Sequence, residues 1–173
     1  MPGSGKSTIV SALKAKGIEA LNLGDGVRAE AKRRNLEPSG DNLGKLMLEL
    51  REKNGPGAIA ALLTEQIKNS QSKVIIVDGV RSTAEIEVLK NVGSVKLLSI
   101  DASADTRYKF LSARGRSDDP KTIEKFEERD KREISVGIGK SIAIADETIS
   151  NSNITLNELT EQAHKVIEKW IDT

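Results

Sequence analysis

The fold of this chain can be inferred from its first eight residues, Met1-Pro2-Gly3-Ser4-Gly5-Lys6-Ser7-Thr8. Gly5, Lys6 and Ser7 match the last three positions of the pattern G-x-x-x-x-G-K-[ST], a phosphate-binding loop that joins a buried strand to a helix. Glycines let backbone N–H groups approach phosphates, and the N-terminus of the helix adds favourable dipole charge. The alternative is a chance turn of Gly and Ser before a helix.

A loop of this kind assigns a role to each of its polar side chains. Lys6 would reach the β- and γ-phosphates of a nucleotide, and Ser7 would hold Mg²⁺. The pattern therefore predicts a site for ATP and Mg²⁺ to which all the residues from Met1 to Thr8 contribute.

Composition limits the classes of protein to which the chain can belong. Its 173 residues suffice for a single domain, residues 1–173, and its net charge of +1 mixes charges of both signs. That balance gives no argument for nucleic acid or for an anionic membrane as a partner. The chain has no cysteine and no apolar run long enough to cross a membrane. Since a phosphate-binding loop follows the first Met directly, we expect no signal peptide. We expect a cytoplasmic protein, either a monomer or a homodimer.

Hydrophobic patterning predicts a chain in which strands alternate with helices. Strands are expected at 18–23, 73–77, 95–100 and 148–150, and helices at 6–16, 27–35, 43–53, 58–69, 83–91, 105–114, 121–134 and 157–171. Asp41 or Asn42 is expected to cap the third helix. The uninterrupted apolar run at 74–77 suggests a strand buried on both faces. This alternation, with few aromatic residues, is typical of an α/β protein with a parallel sheet.

The first polar group after a predicted strand is Gly24-Asp25-Gly26-Val27-Arg28. Segments that follow parallel strands lie at the carboxyl edge of the sheet, facing the ligand crevice. Arg28 at that edge could bind a phosphate with both arms of its guanidinium. The alternative is that Asp25 caps a helix and Arg28 is solvated.

A second group, Val77-Asp78-Gly79-Val80-Arg81, follows the clearest strand. An Asp that closes a buried strand beside a phosphate-binding loop holds Mg²⁺ or its waters. Arg81 is then expected to point into the same crevice. The alternative is that Asp78 caps the next helix.

The later part of the chain carries an arginine cluster: Arg107, Arg114, Arg116, Arg129 and Arg132. A charge run is usually a solvated face, and each arginine taken singly fits that description. Arg114-Gly115-Arg116, followed by two aspartates, is more typical of a mobile lid whose arginines stabilise a transferring phosphoryl group. His164 is the only histidine, and we expect it to be structural, with no zinc site.

Taken together, these groups resemble the nucleoside monophosphate kinase branch of the P-loop kinases. Residues 24–28 resemble the G-D-x-x-R motif of adenylate kinases, and residues 78–81 their D-G-[FV]-[P]-R motif without the Pro. Residues 116–119 are similar to the R-x-D-D motif that follows the lid. Residues 145–151 resemble the A-D-x-x-I-x-N motif of dephospho-coenzyme A kinases. These motifs, in this order and over nearly the whole chain, resemble those of a group of archaeal adenylate-kinase-related proteins of the UPF0200 type.

The resemblance implies a three-layer P-loop NTPase fold, with a parallel sheet of order 2-3-1-4-5 and helices on both faces. It implies a helical acceptor-binding region at about 26–70 and a short lid at about 114–132. The first strand of that order is central and would lie before Met1, together with the leading Gly of the loop. We expect the natural protein to begin about eight to ten residues upstream. A chain without a central strand is expected to be unstable, since domains are stable by only about 5–15 kcal/mol.

The resemblance also implies an ATP-dependent transfer to a nucleotide-like acceptor. The expected catalytic residues are Lys6, Arg114, Arg116 and Asp25. Arg129 or Arg132 would join the lid over the γ-phosphoryl group, while Asp25, Arg28 and Arg81 would contact the acceptor, and Ser7 and Asp78 would hold Mg²⁺. One alternative is transfer to a hydroxyl, as in dephospho-coenzyme A kinases, with Asp25 as the base. Another is a regulatory module that binds ATP without catalysis.

Overall fold

The computed structural model describes residues 1–171, which fold into four short strands and ten helices. The strands are β1 (Glu19–Asn22), β2 (Ile75–Asp78), β3 (Leu98–Asp101) and β4 (Glu147–Ser150). The helices are α1 (Lys6–Ala15), α2 (Leu23–Arg33), α3 (Gly40–Asn54), α4 (Ala58–Ala61), α5 (Thr64–Asn69), α6 (Thr83–Lys90), α7 (Ala104–Arg114), α8 (Ile123–Val136), α9 (Ile138–Ala143) and α10 (Leu156–Ile171).

The strands form two parallel pairs, which confirms the α/β class. β1 pairs with β2, so that Asn22 lies opposite Asp78, and β3 pairs with β4, so that Asp101 lies opposite Ser150. The predicted order 2-3-1-4-5 counts a strand before Met1 as its first. In that numbering β1 and β2 are strands 2 and 3, and β3 and β4 are strands 4 and 5, so both observed pairs are neighbours in the predicted order. No strand within residues 1–171 connects the two pairs, so the full order stays a prediction.

Two apolar clusters hold the elements together. One cluster joins α2, α3 and α4 to the β1–β2 pair, with Leu23 and Ile59 fully buried. The other joins α1 and α10 to the β3–β4 pair, with Leu13 and Leu159 at its centre. α1 also contacts β2, so the helix that begins at the loop lies between both strand pairs. No helix within the described part of the chain has the length and apolar composition needed to span a membrane.

The helices depart most from the predictions in four regions, one of which is α9, where no helix was predicted. α2 begins at Leu23 rather than at 27, because the Asn22 side chain accepts the Asp25 N–H and caps it. α3 is capped by Ser39, and the expectation of Asp41 or Asn42 is wrong. The helix expected over 58–69 is two short helices.

The strand β2 is less buried than its apolar run indicates. Ile75, Ile76 and Val77 are each half-buried, while Asp78, at the carboxyl end, is buried. The expectation of burial on both faces is wrong for these side chains. Since β1 is the only strand paired with β2 among residues 1–171, the second edge of β2 carries no neighbouring strand to cover it.

Candidate active site

The loop ahead of α1 depends on two glycines in the left-handed region. Gly3 has a φ of +80° and Gly5 a φ of +101°. A Cβ on Gly3 would lie 2.6 Å from the carbonyl oxygen of Arg107, and one on Gly5 would lie 2.6 Å from Nδ2 of Asn151. Any larger residue would therefore be strained and would also displace its neighbours.

Hydrogen bonds from Asn151 connect this loop to the carboxyl ends of β3 and β4. Its Nδ2 donates to the Ser4 carbonyl oxygen at 3.0 Å, and its backbone N–H donates to the Asp101 carbonyl oxygen at 2.7 Å. Asn151 and Ser4 are both buried. The Asn of the A-D-x-x-I-x-N motif thus has a structural role here: it positions the loop.

Lys6 folds back across the loop. Its Nζ donates to the Met1 carbonyl oxygen at 2.6 Å and to Ser4 Oγ at 3.2 Å. Burial lowers the pKa of Lys6 to about 8, against the opposing effect of the Asp78 carboxylate. Lys6 is therefore a desolvated cation, and an anion bound by the loop would stabilise its charge.

Asp78 lies between two polar side chains. Ser7 Oγ donates to Asp78 Oδ2 at 3.5 Å, and Asn22 Nδ2 donates to the same oxygen at 2.8 Å. Asp78 does not cap the next helix, because Ser82 caps α6 in a reciprocal arrangement with Glu85. A hydroxyl and one carboxylate suit Mg²⁺, which takes few protein ligands and completes its shell with phosphate oxygens and water. Ser7 and Asp78 are therefore suited to hold it.

Arg28 connects α2 to the segment between α7 and α8. Its Nη1 lies 2.7 Å from Asp25 Oδ1, and its Nη2 donates to both carboxylate oxygens of the buried Asp118 at 3.1 Å. The Asp25 side chain is 72% exposed and does not line the cleft. The structure thus places Arg28 in the cleft and Asp25 at its outer margin.

Arg81 is held by two buried carboxylates. Its Nε pairs with Glu133 of α8, and its backbone N–H donates to Glu85 at 2.7 Å. Glu85 in turn pairs with Arg51 of α3 at 2.6 Å. These two ion pairs and the backbone hydrogen bond hold Arg81 between α3, α6 and α8.

Two aspartates bind the predicted lid arginines. Arg114 donates to Asp119 with both Nε and Nη2, and Arg129 donates to the Asp118 carbonyl oxygen at 3.1 Å. Although burial alone would raise the pKa of Asp119, the hydrogen bonds from Arg114 and from the backbone of Arg116 outweigh it and lower that pKa. The segment after α7 is therefore ordered by its own acid–base pairs.

Two other members of the arginine cluster have different surroundings. Arg107 is buried, pairs with Asp130 at 2.9 and 2.5 Å, and stacks on Phe126 at 4.9 Å. It also donates to the Pro2 carbonyl oxygen at 3.3 Å, so it supports the loop and is not solvated. Arg116, by contrast, has an exposed side chain without a carboxylate partner among residues 1–171.

These groups converge on one cleft with an excess of positive charge. It is lined by seven cations, Lys6, Arg28, Arg81, Arg114, Arg116, Arg129 and Arg132. It is lined by three carboxylates, Asp78, Asp118 and Glu133. A cleft of this charge favours ligands with several negative charges, as phosphates have.

A second groove lies beside the same loop and shares Lys6 and Ser7 with the cleft. Gly5 and Lys6 line it together with Phe110 and Leu156, which are 47% and 55% exposed. Such a groove, apolar and open beside a phosphate-binding loop, could take the flat ring of a nucleobase. Sequence reasoning did not identify Phe110 and Leu156, because ordinary apolar side chains leave no motif.

Comparisons with known proteins show what the chain is similar to. Residues 1–127 match a family model described as an AAA domain. A UPF0200 protein of Pyrococcus abyssi is 41% identical over 158 residues, which cover 88% of this chain and 84% of that protein. UPF0200 proteins of Hyperthermus butylicus and Methanosarcina barkeri are each 37% identical, over 98% and 99% of this chain and 90% and 92% of their own lengths.

Proposed function

This chain belongs to the UPF0200 family and contains a P-loop kinase-like domain, and we propose that it is an ATP-dependent phosphotransferase with a nucleotide-like acceptor. The observation that carries the proposal is the convergence of the loop, the Ser7–Asp78 pair and the arginines on one cationic cleft. Phosphoryl transfer needs little covalent chemistry from the protein and depends mainly on positioning and charge neutralisation, which such a cleft supplies.

The donor would bind at the loop. The backbone N–H groups of the loop and the Lys6 ammonium would hold the β- and γ-phosphates. Ser7 and Asp78 would hold Mg²⁺, which neutralises charge on the phosphates when it is bound. The base would lie in the second groove, beside Phe110.

The transferring group would lie between the loop and the lid. Arg114 and Arg129 are now bound by Asp118 and Asp119, and Arg116 has an exposed side chain. A phosphoryl group could replace the aspartates as the partner of these arginines, so the cations need not leave the cleft. They would then stabilise the charge that develops in the transition state.

The acceptor would bind between α2, α3 and β2. Arg28 and Arg81 line that side of the cleft, and each is already oriented by carboxylates. A phosphate of a nucleoside monophosphate is ionised and needs no base, so two arginines suffice for it. Transfer to a hydroxyl would need a base, and Asp25 is the candidate. Because Asp25 is exposed and lies outside the cleft, the structure supports this alternative less than it supports a nucleoside monophosphate acceptor.

Turnover measurements test the proposal. ADP formation from ATP and Mg²⁺ would be measured with a panel of nucleoside monophosphates and with dephospho-coenzyme A. Lys6→Gln is expected to lower kcat by about 10²–10³, whereas Lys16→Gln, exposed at the end of the same helix, should leave it unchanged.

Each result of the panel has a distinct meaning. Turnover with a nucleoside monophosphate supports the proposal. Turnover with dephospho-coenzyme A alone, abolished by Asp25→Asn, supports the hydroxyl acceptor. ATP binding without turnover supports a regulatory module, and the absence of ATP binding contradicts all three.

A further inference from the structure

Arg132 differs from the other five arginines that line the cleft: four of them are paired, and the fifth, Arg116, is exposed. Arg28, Arg81, Arg114 and Arg129 each pair with an aspartate or glutamate. Arg132 pairs with none in the described part of the chain, and its Nε is buried without a hydrogen-bond partner. A half-buried guanidinium with a buried, unpartnered Nε and no counter-charge is unfavourable, so a ligand that supplies negative charge would gain affinity from it.

The position of Arg132 is set by Gly44 of α3. A Cβ on Gly44 would lie 2.7 Å from both Cζ and Nη1 of Arg132, so the guanidinium lies flat against the helix where no side chain intervenes. Gly44 and Arg132 both line the cleft, next to Leu43 and Met47 of the same helix. Arg132, a residue of α8, therefore lies against the wall formed by α3, whereas Lys6 and Ser7 belong to the loop.

We propose that Arg132 binds a phosphate group of the acceptor, and that it does not act on the γ-phosphoryl group of the donor as a lid residue would. This inference rests on the proposed function and assigns the acceptor a chemical class. A planar guanidinium matches two phosphate oxygens. Val27, Leu43 and Met47 line the cleft beside it and offer an apolar surface to the body of the ligand. The acceptor is thus a phosphomonoester with an apolar or aromatic body, and inorganic phosphate alone would bind less tightly.

Titration calorimetry tests the assignment in protein saturated with Mg²⁺ and a non-hydrolysable ATP analogue, so that the γ-phosphate position is filled. The probes are inorganic phosphate and AMP. Arg132→Met is expected to weaken the binding of both probes by about tenfold or more, with the affinity for the ATP analogue unchanged. Arg116→Met is expected to show the opposite pattern, with weaker binding of the analogue and unchanged binding of the probes.

Gly44→Ala provides a variant that separates this effect from misfolding. The added methyl group would push the guanidinium of Arg132 away and weaken probe binding. Its thermal unfolding midpoint should not fall, because Ala is a better helix former than Gly and the contact atom belongs to a flexible side chain. In the Arg132→Met background, Gly44→Ala should cause no further loss.

Three outcomes would overturn the inference. In the first, Arg132→Met leaves both probe affinities within twofold of wild type. In the second, it weakens the binding of the ATP analogue as much as that of the probes, as expected of a lid residue. AMP binding no tighter than inorganic phosphate would contradict the phosphomonoester class. If the wild-type chain binds no ATP analogue at all, the proposed function itself fails, which this design distinguishes from a failure at Arg132.

Discussion

Arg28 of α2 and Asp118, ahead of α8, form a salt bridge across the cleft, with Arg28 Nη2 3.1 Å from each carboxylate oxygen. Ninety residues separate them in the sequence. Asp118 also lies 3.5 Å from Nη2 of Arg129, so one carboxylate neutralises an arginine from each wall. A bound phosphate would compete with Asp118 for Arg28, and ligand binding would thereby be linked to the position of the segment after α7.

Asp118→Asn is expected to lower the free energy of unfolding by about 1–3 kcal/mol, because two arginines lose a buried counter-charge. Millimolar inorganic phosphate should raise the thermal unfolding midpoint of the variant more than that of wild type, since phosphate can replace the carboxylate. Asp41→Asn is the control, because Asp41 is exposed and 3.6 Å from Lys125. Equal effects of phosphate on variant and wild type would contradict the role of Asp118.

Asn22→Ala is expected to lower the free energy of unfolding by about 2 kcal/mol, measured by urea denaturation. The substitution removes both the cap of α2 and the hydrogen bond to Asp78. Asn22→Ser should recover about half of the loss, because Ser caps a helix but is too short to orient Asp78. Equal losses for the Ser and Ala variants would show that the cap contributes nothing.

Gly5→Ala is expected to lower the free energy of unfolding by about 1–3 kcal/mol, because Ala is strained in the left-handed backbone conformation of Gly5. The close approach of the added methyl group to Asn151 should lower it further. Binding of ATP should be lost, because the loop would no longer close around a phosphate. Gly93→Ala is the matched control, since it has open space around it and no positive φ. Circular-dichroism melts and ATP titrations compare the two, and a melt of Gly5→Ala identical to the control would refute the prediction.

Glu85→Gln is expected to lower the free energy of unfolding by about 3–5 kcal/mol, because Glu85 is fully buried and neutralises Arg51. A second substitution, Arg51→Met, should recover part of this loss by removing the uncompensated charge. Glu87→Gln, on the exposed side of the same helix, should have no measurable effect. A double variant less stable than Glu85→Gln would contradict the pairing.

Phe110→Ala is expected to weaken ATP binding by about tenfold while leaving the affinity for inorganic tripolyphosphate unchanged, because the ring would contact the base and not the phosphates. Ile123→Ala, which removes another exposed apolar side chain outside the groove, should alter neither. Fluorescence titrations with both ligands measure the two affinities. A parallel loss for tripolyphosphate would place the effect of Phe110 on the loop instead.

The sequence predicted most helices and strands, because their periodicity is a local property. It misplaced the starts of α2 and α3, where several good capping residues lie close together. Ser39, Asp41 and Asn42 could each cap a helix, and the choice of Ser39 depends on its extended backbone, with φ −76° and ψ 159°. Burial of β2 was also mispredicted, because burial depends on which strands lie beside it.

The phosphate-binding loop could be read from the sequence alone, since Gly5, Lys6 and Ser7 carry their chemistry at fixed spacing on one short segment. Which arginines have carboxylate partners within residues 1–171 depends on the folded structure. Arg107 and Arg132 both belong to the arginine cluster, yet Asp130 neutralises Arg107, while Arg132 lies against Gly44 with no carboxylate partner among residues 1–171. An ion pair depends on the distance between charges, and segments far apart in the chain set that distance only when the domain folds.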